Sequence, residues 1–156
     1  MAAEIAFWAA AALAILGAGW DVRTRRIPNW LVLALAAVAA GATFASGGFG
    51  LLGSSALHAL IALLVGMALF AVRAIGAGDA KFYAAAALAV PLDRALAMLG
   101  WVALSGLVVV IILMVVYRGL RMVKDGKKVS WTLPYGLPIC CGFLGASLLP
   151  FDRLFP

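Results

Sequence analysis

The sequence has little charge. Only 12% of its residues are Asp, Glu, Lys or Arg, whereas about a quarter of the residues in a soluble domain are charged. Hydrophobic residues make up 67% of the chain, and the mean hydropathy is +1.15. Too few polar groups are present to cover the surface, so the composition excludes a soluble domain. It predicts an integral membrane protein in contact with the lipid bilayer.

Residues that usually carry chemistry are also scarce. The one histidine is His58, and the two cysteines, Cys140 and Cys141, are adjacent inside an apolar run. One histidine and a vicinal cysteine pair do not make a zinc site. No Gly-x-Ser-x-Gly motif or phosphate-binding glycine loop occurs. We therefore expect neither a metal nor a cofactor, and the acidic residues become the main candidates for catalysis.

The hydrophobic runs are continuous rather than alternating, which favours transmembrane helices over barrel strands. We predict an all-α, polytopic membrane protein with about six transmembrane helices and both termini outside, forming a single membrane-embedded domain over residues 1–156. The predicted spans cover residues 3–20, 30–45, 51–72, 82–90, 95–117 and 133–149. The fourth is short: either it is a half-span, or its helix starts near Gly76 and draws Asp79 below the membrane surface.

The basic residues separate between the two sides of this arrangement. Ten of the twelve fall on one face, namely Arg23, Arg25, Arg26, Arg73, Lys81, Arg118, Arg121, Lys124, Lys127 and Lys128. Arg94 and Arg153 fall on the other. Because cytoplasmic loops carry the excess of positive charge, we expect the basic face to be cytoplasmic. The net charge of +6 then reflects membrane topology, and no nucleic-acid partner is expected.

Asp21 and Asp79 end hydrophobic segments on the same face, because two crossings separate them. A carboxylate at the edge of the apolar layer is costly, which favours a functional role. Two close carboxylates can hydrolyse a peptide bond. One is ionised and takes a proton from water, while the other is protonated and hydrogen-bonds the scissile carbonyl. Either aspartate can be the base.

Simpler interpretations of these residues remain open. Asp21 can pair with Arg25 four residues later, and Asp79 can be the N-cap of the fourth span. Beside Asp79, Gly76 and Gly78 can admit an extended substrate backbone or form a turn with positive φ. Pro28 and Asn29 signal the start of a helix, with Asn suited to the N-cap.

Three segments, in this order, carry a resemblance to a known family. They are Asp21 with Arg-Arg-Ile-Pro-Asn at 25–29, Gly-Ala-Gly-Asp-Ala-Lys at 76–81, and Pro-Tyr-Gly-Leu-Pro at 134–138. Together with the predicted topology, they make the chain similar to the type IV prepilin peptidases. The Gly-x-Gly-Asp motif is also shared with presenilin-like intramembrane proteases.

The resemblance implies an aspartyl protease of the bacterial inner membrane that removes the leader of prepilins or pseudopilins at the cytoplasmic face. In that family, cleavage follows a glycine just before the hydrophobic helix of the pilin. The resemblance makes Asp21 and Asp79 the catalytic pair. The supporting motif residues are Gly76, Gly78, Lys81, Pro28 and Asn29, and the candidate substrate contacts are Arg25, Arg26 and Tyr135.

The chain departs from the larger family members in one respect. Those members carry a cytosolic insertion with paired Cys-x-x-Cys motifs, and they methylate the new pilin terminus. Here the loop after the first span covers only residues 21–29, and no Cys-x-x-Cys occurs. Zinc and methylation are therefore not implied, and the chain resembles the short peptidases of tight-adherence, or Flp-type, pilus systems.

The alternative to a peptidase is a small membrane transporter, or a pilus or secretion assembly subunit, whose acids carry protons.

Overall fold

A computed structural model describes residues 1–121 and 134–149. The helices are α1 (Ala2–Thr24), α2 (Asn29–Ala71), α3 (Ala77–Ala87), α4 (Ala95–Arg121) and α5 (Gly136–Leu148), with a 3-10 turn at Leu92–Arg94 before α4. The predicted all-α class is thus confirmed for the described part of the chain. The basic residues Lys124, Lys127, Lys128 and Arg153, and the start of the sixth predicted span at residue 133, lie outside it.

Within residues 1–121 and 134–149, three segments are long and apolar enough to cross a membrane: α1, α2 and the stretch Leu92–Val116, which contains most of α4. Large apolar side chains on α4 point away from the protein, with Leu107 57% and Val115 66% exposed. So much exposed apolar surface is unfavourable in water and suits contact with lipid. The chain is therefore a membrane protein.

Helix α2 is interrupted where the sequence predicts a tight connection, at residues 46–50. Gly47 (φ −152°, ψ 17°) and Gly48 (φ 64°, ψ −155°) leave helical geometry, and the Gly48 conformation is essentially restricted to glycine. A straight helix of 43 residues would be about 65 Å long. Instead Asn29, at the start of α2, and Arg73, just after its end, line the same cavity. The two limbs, residues 29–46 and 49–71, therefore form a hairpin.

Helix α3 has 11 residues and covers only about 16 Å. Beyond it, residues 88–91 are irregular and lead into the 3-10 turn. Residues 88–92 are here called the far end of α3, and side chains of α2 hold them in place. Thr43 Oγ1 donates to Leu88 O at 2.8 Å, His58 Nδ1 donates to Val90 O at 2.9 Å, and Leu92 N–H donates to Ser54 Oγ at 3.0 Å. Backbone groups at membrane depth need partners inside the protein, and these polar side chains supply them.

Small residues let the helices approach closely around α3. A Cβ at Gly17 would lie 2.6 Å from the Phe82 ring, and one at Gly66 would lie 2.8 Å from Cβ of Ala80. Phe82 is fully buried. Glycine at these contacts is typical of helix packing in membranes, where close backbone approach replaces the hydrophobic effect. The packing fixes α3 against both α1 and the second limb of α2.

Candidate active site

Asp21 lies near the end of α1 and is only 6% exposed. The helix ends at Thr24, and Arg25 follows in the left-handed conformation (φ 56°), with its N–H donating to Asp21 O at 2.8 Å. The carboxylate is held from another part of the chain, since Gly136 N–H donates to Asp21 Oδ2 at 2.9 Å. Asp21 therefore joins the end of α1 to the first residue of α5.

Asp79 lies in the first turn of α3. Gly76 is the N-cap, and its N–H donates to Asp79 Oδ2 at 3.2 Å. The interpretation of Asp79 as the N-cap is therefore wrong by position: it is the third helical residue, and its carboxylate accepts from the cap. Gly76 (φ −78°) is not in the left-handed region, and Gly48 is the glycine with positive φ among those described. A Cβ at Gly76 would lie 2.7 Å from Asp79 Oδ2, so glycine here makes room for the carboxylate.

Both aspartates line one cavity of about 730 Å³, here called the carboxylate cavity. Its lining comprises Asp21, Arg25, Arg26, Ile27, Asn29, Arg73, Ala74, Ile75, Gly76, Ala77, Gly78, Asp79, Lys81 and Tyr135. The sequence predicts that two crossings return the chain to the same membrane level, so that the two aspartates can meet. Their placement in one cavity agrees with that expectation. The ends of α1, α2 and α3 and the start of α5 all meet at this cavity.

The pKa of Asp79 is raised to about 6. The main cause is desolvation by the surrounding protein, the second is the negative charge of Asp21, and the hydrogen bond from Gly76 opposes both. Like charges close together push two titrations apart. Burial and the neighbouring charge therefore favour the protonated form of Asp79.

Four basic side chains surround the acids: Arg25, Arg26, Arg73 and Lys81. The sequence interpretation named Arg25, Arg26 and Lys81 but missed Arg73 as a site residue. Arg73 follows α2 in the left-handed conformation (φ 61°), and its N–H donates to Phe70 O at 2.9 Å. Its position just before the Gly-x-Gly-Asp motif was the sequence signal that could have identified Arg73 as a site residue.

The other predicted site residues divide into two groups. Tyr135, Asn29 and Gly78 line the carboxylate cavity. Pro28 does not appear in its lining. It is instead the N-cap of α2 (φ −65°, ψ 137°), which makes Asn29 the first helical residue rather than the cap. A proline with this fixed φ suits an extended residue ahead of a helix.

A second cavity, here called the apolar groove, was not foreseen from the sequence. It has a volume of about 530 Å³ and is lined by Asn29, Val32, Leu33, Ala36, Ala59, Leu60, Leu63, Lys81, Ala84, Ala85 and Leu88. The groove runs between the two limbs of α2 and α3. Because Asn29 and Lys81 line both cavities, the groove adjoins the carboxylate cavity.

The described residues offer few side chains that could bind a metal ion. Within residues 1–121 and 134–149, no three His, Cys, Asp or Glu side chains cluster in a way that could hold a metal ion. Cys140 is buried and Cys141 is exposed, and both are free thiols. His58 is engaged at the far end of α3, at the opposite end of that helix from Asp79.

Comparison with known proteins agrees with this geometry. The model of the type IV leader peptidase family matches residues 8–118, a range that includes both aspartates, α2, α3 and most of α4. Searches of curated proteins and of solved structures returned no match. The matched range covers well over half of the chain, and it contains both aspartates that line the carboxylate cavity. The chain therefore belongs to the type IV leader peptidase family.

Proposed function

We propose that this protein is an aspartic-type endopeptidase that removes the leader peptide of type IV or Flp-type prepilins at the cytoplasmic face of the inner membrane. The observation that carries the proposal is the carboxylate cavity, in which Asp21 and Asp79 come from different helices. The family match supports peptidase activity. The two carboxylates supply the chemistry that such a reaction needs without a metal or a nucleophilic side chain.

In the proposed mechanism, Asp21 is ionised and Asp79 is protonated. The Gly136 N–H bonded to Asp21 Oδ2 holds that carboxylate in place to act as the base. The raised pKa of Asp79 favours its neutral form. Asp21 takes a proton from water as the water attacks the scissile carbonyl carbon. Asp79 donates its proton toward the carbonyl oxygen, and the amine leaves with a proton returned by the pair.

The shape of the two adjoining cavities supports a substrate that is polar at the cut and apolar beside it. A prepilin has this character, because its hydrophobic helix begins just after the cleavage site. In the proposal, the apolar part of the substrate lies in the apolar groove and the scissile bond lies between the aspartates. Lys81, which lines both cavities, and Arg26 are then placed to meet an acidic residue of the substrate.

The proposed orientation follows from charge. The four basic residues of the carboxylate cavity belong to the face on which most basic residues of the sequence fall, and excess positive charge marks the cytoplasmic side. About six spans with both termini outside remain the proposed topology, with residues 82–90 as the short fourth span.

The test is leader cleavage in cells. The chain is co-expressed with an Flp-type prepilin in a host without such peptidases, and the mass of the pilin is measured beside that for Asp21→Asn and Asp79→Asn. Wild type should trim the leader, and both variants should lose roughly 100-fold or more of the activity. Asp93→Asn, at an exposed acid beyond the far end of α3, is the matched control and should cleave normally.

Each variant is first checked for membrane insertion. Cleavage by both aspartate variants would defeat the carboxylate mechanism and favour proton transport by these acids. The same mass spectrum reports whether a methyl group is added to the new terminus.

A further inference from the structure

We propose that Gly136, the first residue of α5, is a positioning residue whose backbone amide holds Asp21 for catalysis. The proposal rests on the proposed function, and it extends the active site beyond the matched residues 8–118. It assigns to the Pro-Tyr-Gly-Leu-Pro segment at 134–138 a role that its composition does not reveal, since the contact is made by the backbone.

The contact between the two residues is close and enclosed. Gly136 N–H donates to Asp21 Oδ2 at 2.9 Å across 115 residues of sequence, and both residues are buried. A Cβ at Gly136 would lie 2.9 Å from Asp21 Cβ, 3.2 Å from Asp21 Oδ2 and 3.3 Å from the Cα of Ala18. Real Cβ atoms do not sit at the first of these distances. Only glycine lets the amide reach the carboxylate at this spacing.

The amide is also held firmly in place by the rest of α5. Gly142 and Gly145 pack so closely on Val102 and Trp101 of α4 that a Cβ on either would overlap those side chains. On the other side, Phe143 is fully buried, with its ring 5.8 Å from that of Phe7 in α1. Helix α5 is thus clamped between α1 and α4, and its first N–H has a fixed direction.

The chemistry follows from this placement. A backbone N–H that donates to a carboxylate makes a charge-assisted hydrogen bond, which holds the carboxylate in one direction. The carboxylate oxygen that takes a proton from water must be aimed at that water. The amide of Gly136 therefore acts on the rate through Asp21, by aiming the carboxylate.

The experiment compares three glycine-to-alanine variants in purified, detergent-solubilised full-length protein, with a prepilin as substrate. Gly136→Ala adds a Cβ against Asp21. Gly142→Ala disturbs α5 packing away from Asp21, and Gly19→Ala, which meets no atom within 4 Å, controls for the change in helix α1. For each variant, kcat, KM and the thermal midpoint are measured.

Gly136→Ala should lower kcat by roughly 10- to 100-fold, because a displaced catalytic group loses its geometry, while KM changes little. Gly142→Ala should lower the thermal midpoint and leave kcat and KM nearly unchanged, and Gly19→Ala should resemble wild type. A purely structural role for Gly136 would lower the thermal midpoint and leave kcat at the wild-type value below that midpoint.

If Gly136→Ala does not accumulate, Pro134→Ala takes its place, because it loosens the turn before Gly136 without adding atoms. It should lower kcat by roughly 3- to 10-fold with KM little changed. An unchanged kcat in the variant that folds, or an equal loss of kcat in Gly142→Ala, overturns the proposal. Failure of wild type to cleave would instead count against the proposed function.

Discussion

The two ends of α3 are held in different ways. At the first end, the carboxylate of Asp79 bonds to an amide only three residues away, and the surroundings are an open, charged cavity. At the far end, residues 88–92 are bonded to Thr43, His58 and Ser54, which lie 32 to 45 residues away in the sequence. The end with the acid is capped locally and stays accessible, while the opposite end is tied to the scaffold. Changes at the two ends should therefore affect different properties.

The largest effect is expected at the acid end, from a pair of neighbouring glycines. Gly76→Ala places a Cβ 2.7 Å from Asp79 Oδ2, so it should displace the carboxylate and lower kcat by roughly 10- to 100-fold. Gly78→Ala meets no atom within 4 Å and should keep kcat, with any loss appearing in KM because Gly78 lines the cavity. Steady-state cleavage kinetics distinguish the two. Equal losses in kcat would show that Gly76 is not needed for the placement of Asp79.

A smaller effect should come from filling the apolar groove between the two ends. Ala36→Phe puts a ring into the groove and should raise KM for a prepilin by roughly 10-fold, with kcat nearly unchanged, because it removes binding that is equal in the ground and transition states. Ala37→Phe, at an exposed position one residue along, is the matched control and should leave KM unchanged. A fall in kcat alone would mean that the groove is not where the substrate binds.

At the far end, stability rather than activity should change. Thr43→Val keeps the side-chain shape but removes the donor to Leu88 O, which should cost about 1 kcal/mol and lower the thermal midpoint by a few degrees. Ser46→Ala removes a bond within the same helix turn and should cost less. Both should retain wild-type kcat. Loss of kcat in Thr43→Val at an unchanged thermal midpoint would contradict the separation of the two ends.

The smallest expected effect is a pH-dependent gain in stability. The pKa of Asp79 is raised to about 6 in the folded protein, above its usual value of about 4, so ionising Asp79 opposes folding. Wild type should lose stability as pH rises from about 4 to 6 and keep that deficit above 6. Asp79→Asn should therefore melt higher than wild type by roughly a few degrees at pH 7.5, and at the same temperature as wild type at pH 4. A gain that is the same at both pH values would contradict the raised pKa.

The all-α class and the long apolar helices were predictable from hydropathy and composition. Long apolar runs reveal spans because a bilayer requires about 20 such residues, and the Gly47–Gly48 break falls where glycines cluster in the sequence. Asp21 and Asp79 stood out because carboxylates are rare in such a chain. Each of these signals is local in the sequence.

The features that the sequence did not predict depend on contacts between residues that lie far apart in the chain. The sequence around Gly136 does not indicate that its amide reaches Asp21, since the contact joins residues 115 positions apart. The apolar groove is built from alanines and leucines that look like ordinary span residues. The cap of α2 fell on Pro28 rather than Asn29 because backbone geometry, not side-chain bonding, sets that helix start.

The left-handed arginines beside the carboxylate cavity have a consequence for engineering. Arg25 (φ 56°) and Arg73 (φ 61°) both occupy a backbone conformation in which a side chain costs roughly 1 kcal/mol or more relative to glycine. A selection for thermal stability alone would favour glycine at both positions. A selection that also requires cleavage should keep arginine. A library that varies these two positions can therefore separate the effect of each residue on thermal stability from its effect on catalysis.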